Sequence, residues 1–283
     1  MKLSEIYSTD KTVISYEVFP PKSDTDKLLQ EINILEKHNP AFISLTYGAG
    51  GNENKSFELL KKIKNTGVNV MPHFTCISSS KESIEADMKN LDSIGVENIL
   101  ALRGDLPENK DLRCKDFCYA NELVSFINTK TNFSAGVAGY PEGHIESPDL
   151  KTDIENLKKK VDAGADAIFT QLFFDNNLFF DFVNRVRNAG IEIPVIAGIM
   201  PVISEKQVNK MITMANITLP DNLKQNLKKY KDKNLIEYGI EFASSQCLEL
   251  IEEGVKGLHF FTLNRAYSTN KILNNIKEKI WKT

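Results

Sequence analysis

The sequence predicts a (β/α)8 barrel of the TIM type, and three observations lead to this fold class. Short apolar runs alternate with longer charged stretches of helical periodicity, which is typical of βα units and a parallel sheet. Eight such runs occur, and most are uninterrupted, as expected for strands covered by helices. Unusual polar residues follow many different runs, whereas an open doubly wound sheet would concentrate them at one switch point. We therefore assign residues 1–283 to a single barrel domain.

The predicted elements follow from these runs and from the glycines between them. The strands cover 13–19, 41–47, 69–76, 98–102, 134–138, 167–174, 194–199 and 257–263. The helices cover 24–37, 55–65, 80–94, 116–128, 149–163, 176–189, 204–215, 235–253 and 266–281. Several helices end at a glycine just before the next strand, where a left-handed residue commonly closes a helix.

The segment 217–234 departs from this pattern, because it is polar, Lys-rich and longer than the other connections. Two interpretations stay open for it. It is either an extra helix or lid inserted before strand eight, or a solvated connector.

Composition and motifs exclude several classes of protein. The net charge of −3 argues against a nucleic-acid binder. The four cysteines lack CxxC spacing, so we predict no metal site. The chain shows no signal-peptide pattern and no apolar stretch long enough to span a bilayer, so we expect a cytoplasmic protein without a membrane partner. Fingerprints of Rossmann, P-loop, zincin and α/β-hydrolase sites are missing, so barrel loops would have to hold any nucleotide cofactor.

In a β/α barrel, residues at the carboxyl ends of the strands build the active site. Strand one carries Glu17 in an apolar run, where burial raises a carboxyl pKa and favours a proton donor. A Glu neutralised by a structural Arg or Lys is an equal alternative. In strand three, His73 is more often a core residue than a catalyst. Strand four runs into Arg103, Gly104 and Asp105, which offer a phosphate donor, a close backbone approach and an acid.

The later strand ends add further polar groups. Gln171 in strand six offers an amide that suits a planar heterocycle. Arg265 follows strand eight and is a candidate anion contact. After strand five, polar residues continue onto one face of the next helix, for which a solvated face is the simpler alternative: Tyr140, His144, Asp153, Asn156 and Lys160. The whole set predicts a mouth that binds a large polar cofactor and one planar substrate.

At this point the chain resembles the bacterial methylenetetrahydrofolate reductases. The resemblance extends from residue 15 to residue 266 and rests on several strings in the family's order: SYEVFPPK, FISLTYGA, PHFTC, ALRGDLP, YPEGH, KVDAGAD, TQLFFD, GIMPV and FTLNRA. It implies a barrel with noncovalent FAD and a ping-pong reaction. In that reaction a hydride passes from NADH or NADPH to the flavin, and then to 5,10-methylenetetrahydrofolate, giving 5-methyltetrahydrofolate.

The resemblance also implies roles for residues. Glu17 matches the general acid that protonates N10 of the folate, and Asp105 matches an acid beside the flavin. Both residues are also expected to bind the substrate. Gln171 matches a residue that binds the pterin, and Arg265 a substrate-side position. Met211 stands where a Phe is familiar, and Phe261 where a Tyr is familiar. The FAD-contacting positions are Thr46, His73, Leu102, Arg103, Gly104, Asp105, Tyr140, His144, Asp153, Asn156 and Lys160.

Two other functions stay open. A flavin-free Schiff-base aldolase would need a Lys inside a strand, and no predicted strand interior contains one. An accessory barrel could instead receive electrons from a redox partner subunit. The departure at Met211 leaves the electron donor undecided. A homo-oligomer also stays open, because the sequence does not reveal the oligomeric state.

Overall fold

The eight predicted strands form a closed parallel barrel in which each strand pairs with the next and the last strand pairs with the first. The computed structural model describes residues 1–46, 53–106, 115–215 and 217–281. Its strands are β1 (Val13–Val18), β2 (Phe42–Leu45), β3 (Val70–Thr75), β4 (Asn98–Leu102), β5 (Ser134–Gly139), β6 (Ala167–Thr170), β7 (Val195–Ile199) and β8 (Gly257–Phe261).

Helices connect the strands and surround the barrel. They are α1 (Leu3–Ile6), α2 (Thr25–Leu35), α3 (Glu53–Lys64), α4 (Lys81–Ser93), α5 (Ala120–Lys130), α6 (Leu150–Asp162), α7 (Asn176–Asn188), α8 (Glu205–Ala215), α9 (Asp221–Lys229), α10 (Asp232–Glu252) and α11 (Ala266–Ile280). A 3₁₀ turn, Glu36–His38, extends α2. In the part of the chain that the structure describes, no helix has the length and apolarity needed to cross a membrane.

The short helix α1 closes the amino-terminal end of the barrel, a feature that the polar sequence around it did not predict. Leu3, Ile6 and Tyr7 are buried in a cluster with inward-facing strand residues such as Phe42 and Phe169. The rings of Tyr7 and Phe169 meet edge to face, with centroids 6.3 Å apart. Apolar side chains therefore close the amino-terminal end of the barrel, and the carboxyl ends of the strands remain for an active site.

The extra helix predicted within 217–234 is confirmed, since α9 occupies Asp221–Lys229. We call α8, α9 and the residues between them the insertion. Its apolar side chains join residues that follow β6 and β7 and one residue of α10 in one buried cluster, which we call the insertion cluster: Leu172, Phe174, Met200, Val202, Val208, Ile217, Leu219, Leu223, Leu227 and Leu235. The insertion thus packs on the loops after β6 and β7 at the barrel mouth.

Some predicted boundaries were wrong. β6 ends at Thr170 and not at 174, because Leu172 and Phe174 leave the sheet to enter the insertion cluster. α5 begins at Ala120 and not at 116, because the Glu122 carboxylate accepts hydrogen bonds from the backbone N–H groups just before the helix. α10 begins at Asp232, three residues before the predicted start at 235. The predicted strand end at residue 47 and the glycine cluster 48–51 lie outside the described residues.

Candidate active site at the barrel mouth

Glu17 lies on the inner side of the barrel near the carboxyl end of β1. Its Cα partners on the neighbouring strands are Ser44 and Phe261. The side chain is 21% exposed, and its Oε2 lies 3.4 Å from Nε2 of His73. Within the described ranges, His73 is the only basic side chain paired with this carboxyl group. Desolvation by burial raises the pKa of Glu17 to about 7.

His73 connects Glu17 to a third polar residue. Its Nε2 lies 2.6 Å from Oγ of Ser44, and the imidazole is 8% exposed. Burial lowers the pKa of His73 to about 4. Burial thus favours the uncharged form of both groups, and His73 is neutral at pH 7, so the contact does not pair two opposite charges there. The His73 ring is buried, as expected of a core residue, and it also contacts the candidate acid.

A second buried pair lies deeper in the barrel. Oγ of Ser15 is 2.8 Å from Nδ1 of His259, and the rings of Phe42, Phe169 and Phe261 lie within 6.1 Å of that imidazole. Sequence reasoning missed this pair and also Ser44. The available signal was weak, since these residues are small or isolated polar groups in apolar strands, which also suits core residues.

The charged groups gather in a separate cavity of about 450 Å³ next to the ends of β4 and β5. It is also lined by α5, α6 and the loop before α6. Most of the predicted cofactor positions line it: Leu102, Arg103, Tyr140, His144, Asp153, Asn156 and Lys160. Sequence reasoning missed several other lining residues: Ala101, Tyr119, Ala120, Asn121, Ala138, Gly139, Glu146, Ser147, Leu157 and Lys159.

Ion pairs and hydrogen bonds organise the charges of this cavity. Arg103 donates from Nη1 and Nη2 to the two carboxylate oxygens of Glu146, at 2.5 and 2.8 Å, and these bonds raise the pKa of Arg103. Asp153 is buried, and its Oδ1 accepts hydrogen bonds from N of His144 and Oγ of Ser147, at 3.2 and 2.9 Å.

Two cavity residues have pKa values shifted mainly by burial. Nζ of Lys160 donates to the carbonyl oxygen of Ala138 at 2.5 Å, and desolvation lowers the pKa of Lys160 to about 8 although Asp153 opposes that shift. The ring of Tyr140 meets the His144 ring edge to face at 4.7 Å, and burial raises the pKa of Tyr140 to about 12. Lys160 also lies 5.9 Å from the centre of the Tyr140 ring. The cavity wall is thus partly aromatic and partly cationic.

Three other predicted cofactor positions follow β2 and β4 outside the cavity lining. Thr46 directly follows β2, and its N–H donates to the carbonyl oxygen of Val18 at 3.2 Å. Gly104 has φ +88, and a Cβ there would lie 3.0 Å from Cβ of Thr75, so glycine suits this turn. Asp105 follows it and is exposed.

Three of the predicted substrate positions, Gln171, Met211 and Arg265, follow β6, β7 and β8 in the sequence. Gln171 is half-buried, and its Oε1 accepts a hydrogen bond from N of Leu172 at 2.9 Å. Met211 on α8 and Phe261 at the end of β8 are partly buried against the insertion cluster. Arg265 is exposed at the start of α11 and lines a separate recess of about 80 Å³. Met211 and Phe261 therefore pack against one apolar cluster, and Gln171 adjoins it through its bond to Leu172.

Comparison with known proteins gives a family for this architecture. The family model described as methylenetetrahydrofolate reductase matches residues 2–277. A 5,10-methylenetetrahydrofolate reductase of Escherichia coli is 36% identical over 271 residues, which cover 93% of this chain and 90% of that protein. That of Pectobacterium carotovorum is 38% identical over 264 residues, with coverages of 89% and 86%.

The eukaryotic relatives are longer. Methylenetetrahydrofolate reductase (NADH) 1 of Arabidopsis thaliana is 36% identical over 295 residues, which cover 97% of this chain and 50% of that protein. The chain therefore spans about half the length of the plant relatives that it matches.

Solved structures share the fold at low sequence identity. An uncharacterized Clostridium thermocellum protein, described as binding two copies of 5-methyl-5,6,7,8-tetrahydrofolic acid, has a TM-score of 0.68 at 14% identity and covers 97% of each chain. Tryptophan synthase of Mycobacterium tuberculosis has a TM-score of 0.60 at 9% identity, covering 100% of this chain and 99% of that chain. At these identities the likeness concerns the barrel alone.

Proposed function

Because the chain belongs to the methylenetetrahydrofolate reductase family, we propose that it reduces 5,10-methylenetetrahydrofolate to 5-methyltetrahydrofolate, with bound FAD and a reduced nicotinamide as the electron donor. The observation that carries the proposal is the pairing of two unlike sites at one barrel mouth. One holds a buried carboxyl group, Glu17, whose pKa is about 7. The other is a charged cavity of about 450 Å³.

The residues of the cavity fit part of a dinucleotide such as FAD. Its volume of about 450 Å³ is that of a small-molecule site. Lys160 and Arg103 supply positive charge for a pyrophosphate, and Tyr119 and Tyr140 supply aromatic surface. The glycine at position 104 allows a ligand to approach the backbone after β4. When bound there, FAD supplies the hydride-carrying chemistry that protein side chains lack.

The two cations of this cavity are held differently, and this refines the roles expected for them. Nη1 and Nη2 of Arg103 both donate to Glu146, so the charge of this guanidinium is already balanced by a carboxylate. Nζ of Lys160 contacts a carbonyl oxygen, and Asp153 acts on it only through its electric field. We therefore expect Lys160 to supply more of the charge that a pyrophosphate meets, and Arg103 to supply oriented N–H groups.

Glu17 suits the proton transfer that this reduction needs. Opening the five-membered ring of the folate requires a proton on N10, and a donor works best when its pKa lies near the operating pH. With a pKa of about 7, Glu17 keeps a substantial protonated fraction at neutral pH. The nearby uncharged His73 and its partner Ser44 orient the acid without pairing it as an ion. After donation, the carboxylate regains its proton through the exposed part of the mouth.

The surface between β6 and β8 suits the planar pterin. The partly buried Met211 and Phe261 offer apolar area, and the Gln171 amide is bonded to Leu172 of the same cluster. Gln171 would have to release its contact with the Leu172 N–H, or present its NH2 group, to bind a ring with adjacent donor and acceptor atoms. The exposed Arg265 guanidinium is available to a carboxylate of the substrate, and Asp105 is exposed at the end of the strand that leads to the cofactor cavity.

An anaerobic absorption experiment tests the proposal. The purified protein, supplied with FAD, receives NADH and then 5,10-methylenetetrahydrofolate. We expect flavin bands that bleach with NADH and return with the folate. A protein that never binds FAD would contradict the proposal.

The alternative donor is a redox partner subunit, and one observation favours keeping it: Met211, in place of a familiar Phe, stands on the apolar surface that a nicotinamide ring would contact. Under this alternative the flavin bands ignore NADH and NADPH, but they bleach with a chemical reductant and return with the folate.

A further inference from the structure

Glu142 belongs to the YPEGH string after β5, yet the proposed reaction assigns it no role. Its two carboxylate oxygens accept hydrogen bonds from the backbone N–H of Thr218, at 3.1 and 3.0 Å. The Thr218 hydroxyl also donates to Oε2 of Glu142. These contacts join residues 76 positions apart, and they link the loop before α6 to the segment between α8 and α9.

The segment around Thr218 is held on its opposite side by apolar packing. Ile217 and Leu219 are buried in the insertion cluster, with exposed fractions of 5% and 8%, whereas Thr218 between them is exposed. The alternation indicates an extended segment with one face on the cluster and the other toward Glu142. Met211 packs against the same cluster, so any loosening of this segment reaches the apolar surface at the mouth.

The loop that carries Glu142 is itself fixed to the wall of the charged cavity. Nη2 of Arg185 on α7 donates to the carbonyl oxygen of Pro141 at 2.6 Å. Two residues beyond Glu142, N of His144 donates to the buried Asp153. Glu142 thus projects from a loop that hydrogen bonds hold on both sides of it, and its carboxylate contacts the segment between α8 and α9.

We propose that Glu142 is a positioning residue. It ties the insertion to the loop before α6 and thereby holds Met211 in place at the barrel mouth. This inference rests on the proposed function for its kinetic consequence, since Met211 contacts the substrate only if the mouth binds a folate or a nicotinamide. The tie itself is independent of that function.

The tie is tested by proteolysis of the FAD-loaded full chain. Trypsin sites on and just after α9 report loosening directly: Lys224, Lys228, Lys229 and Lys231. Loss of about one hydrogen bond to a charged group corresponds to roughly a tenfold change, so we expect Glu142→Ala to be cut there about tenfold faster than the wild type. Glu142→Gln retains an acceptor oxygen, so we expect it to be cut no more than about threefold faster than the wild type. Glu155→Ala, which removes an exposed carboxylate from α6, is the matched control.

The same variants separate positioning from general damage. We expect Glu142→Ala to raise KM for 5,10-methylenetetrahydrofolate about tenfold, while kcat and the FAD Kd change less than about threefold. Cleavage at wild-type rate in Glu142→Ala, or cleavage that is equally accelerated in α4, would overturn the tie. A loosened insertion with an unchanged KM would overturn the positioning of Met211. Absence of folate reduction in the wild type would instead contradict the proposed function, and the cleavage rates would still decide the tie.

Discussion

The two halves of the barrel mouth hold their titratable groups in different charge states. On the β1–β3 side, Glu17 and His73 are 3.4 Å apart, yet burial moves both pKa values toward the uncharged form, to about 7 and about 4. On the β4–β5 side, Arg103 and Glu146 form a bidentate ion pair. Exposure and partners both differ: the Glu146 carboxylate is 46% exposed and accepts two guanidinium N–H groups, whereas the Glu17 carboxyl group is 21% exposed and lies beside an imidazole.

This contrast suits a division of labour. A neutral acid can give up a proton. Side chains in an ion pair can instead hold a charged cofactor while their own protonation stays unchanged. We therefore expect a change in one half to leave the function of the other half intact.

The largest expected effect comes from Glu17→Gln. Removal of a general acid commonly costs 10²–10⁴-fold, so we expect folate reduction to fall by about 10³-fold. Reduction of the flavin by NADH should stay within about threefold of wild type, because that half-reaction does not use the proton. Anaerobic stopped-flow measurement of each half-reaction checks this, with the exposed Glu241→Gln on α10 as the control. Equal losses in both half-reactions would contradict the assignment of Glu17 to proton transfer alone.

The next effect concerns the charged side. Lys160→Met removes a partly buried ammonium group, and hydrogen bonds to charged groups support an expected loss of about 10- to 100-fold in FAD affinity. Lys158→Met is the matched control, because its Nζ pairs with Asp162 on the outer face of the same helix. Fluorescence titration of the apoprotein with FAD measures both. If the two variants bind FAD equally well, Lys160 has no special role in the cavity.

The smallest effect is on stability, and its sign depends on pH. Folding raises the pKa of Glu17 from 4.5 to about 7, so the folded protein holds this proton more tightly than the unfolded chain. The resulting stabilisation is complete below pH 4.5 and is lost as the pH rises through about 7. We therefore expect Glu17→Gln to be more stable than wild type by about 1–2 kcal/mol at pH 8, after allowing for solvent at the mouth.

Denaturant unfolding of the flavin-free protein at pH 5 and pH 8 measures this difference. The advantage of the variant should shrink at the lower pH. A variant that is less stable than wild type at both values would mean that Glu17 is not held in its neutral form.

The barrel could be predicted because its signals are local. Eight apolar runs and the glycines that end the helices reflect the burial of strands and the closure of helices, which depend on neighbours in sequence. Glu17 stood out for a similar reason, since a charge inside an apolar run is costly wherever the strand packs. The helix α9 was weighed against a connector, because its amphipathic pattern is short and Lys-rich.

The missed features depend on distant contacts. Ser44 matters because it contacts His73 on the next strand, and Glu146 matters because it pairs with Arg103, 43 residues earlier. Glu142 gains its meaning only when the insertion folds back over the loop after β5. A polar residue in a loop has no distinguishing signal until the fold supplies its partner.

The pH dependence of the two half-reactions of the wild-type protein tests the central claim most directly. Each rate is measured by anaerobic stopped flow between pH 5.5 and pH 9, a range chosen because it brackets the two shifted pKa values of about 7 and about 8. We expect the folate half-reaction to fall as the pH rises through about 7, whereas flavin reduction by NADH shows no step there. A folate half-reaction that is flat across this range, or one that falls together with flavin reduction, would contradict the assignment of Glu17 as the proton donor.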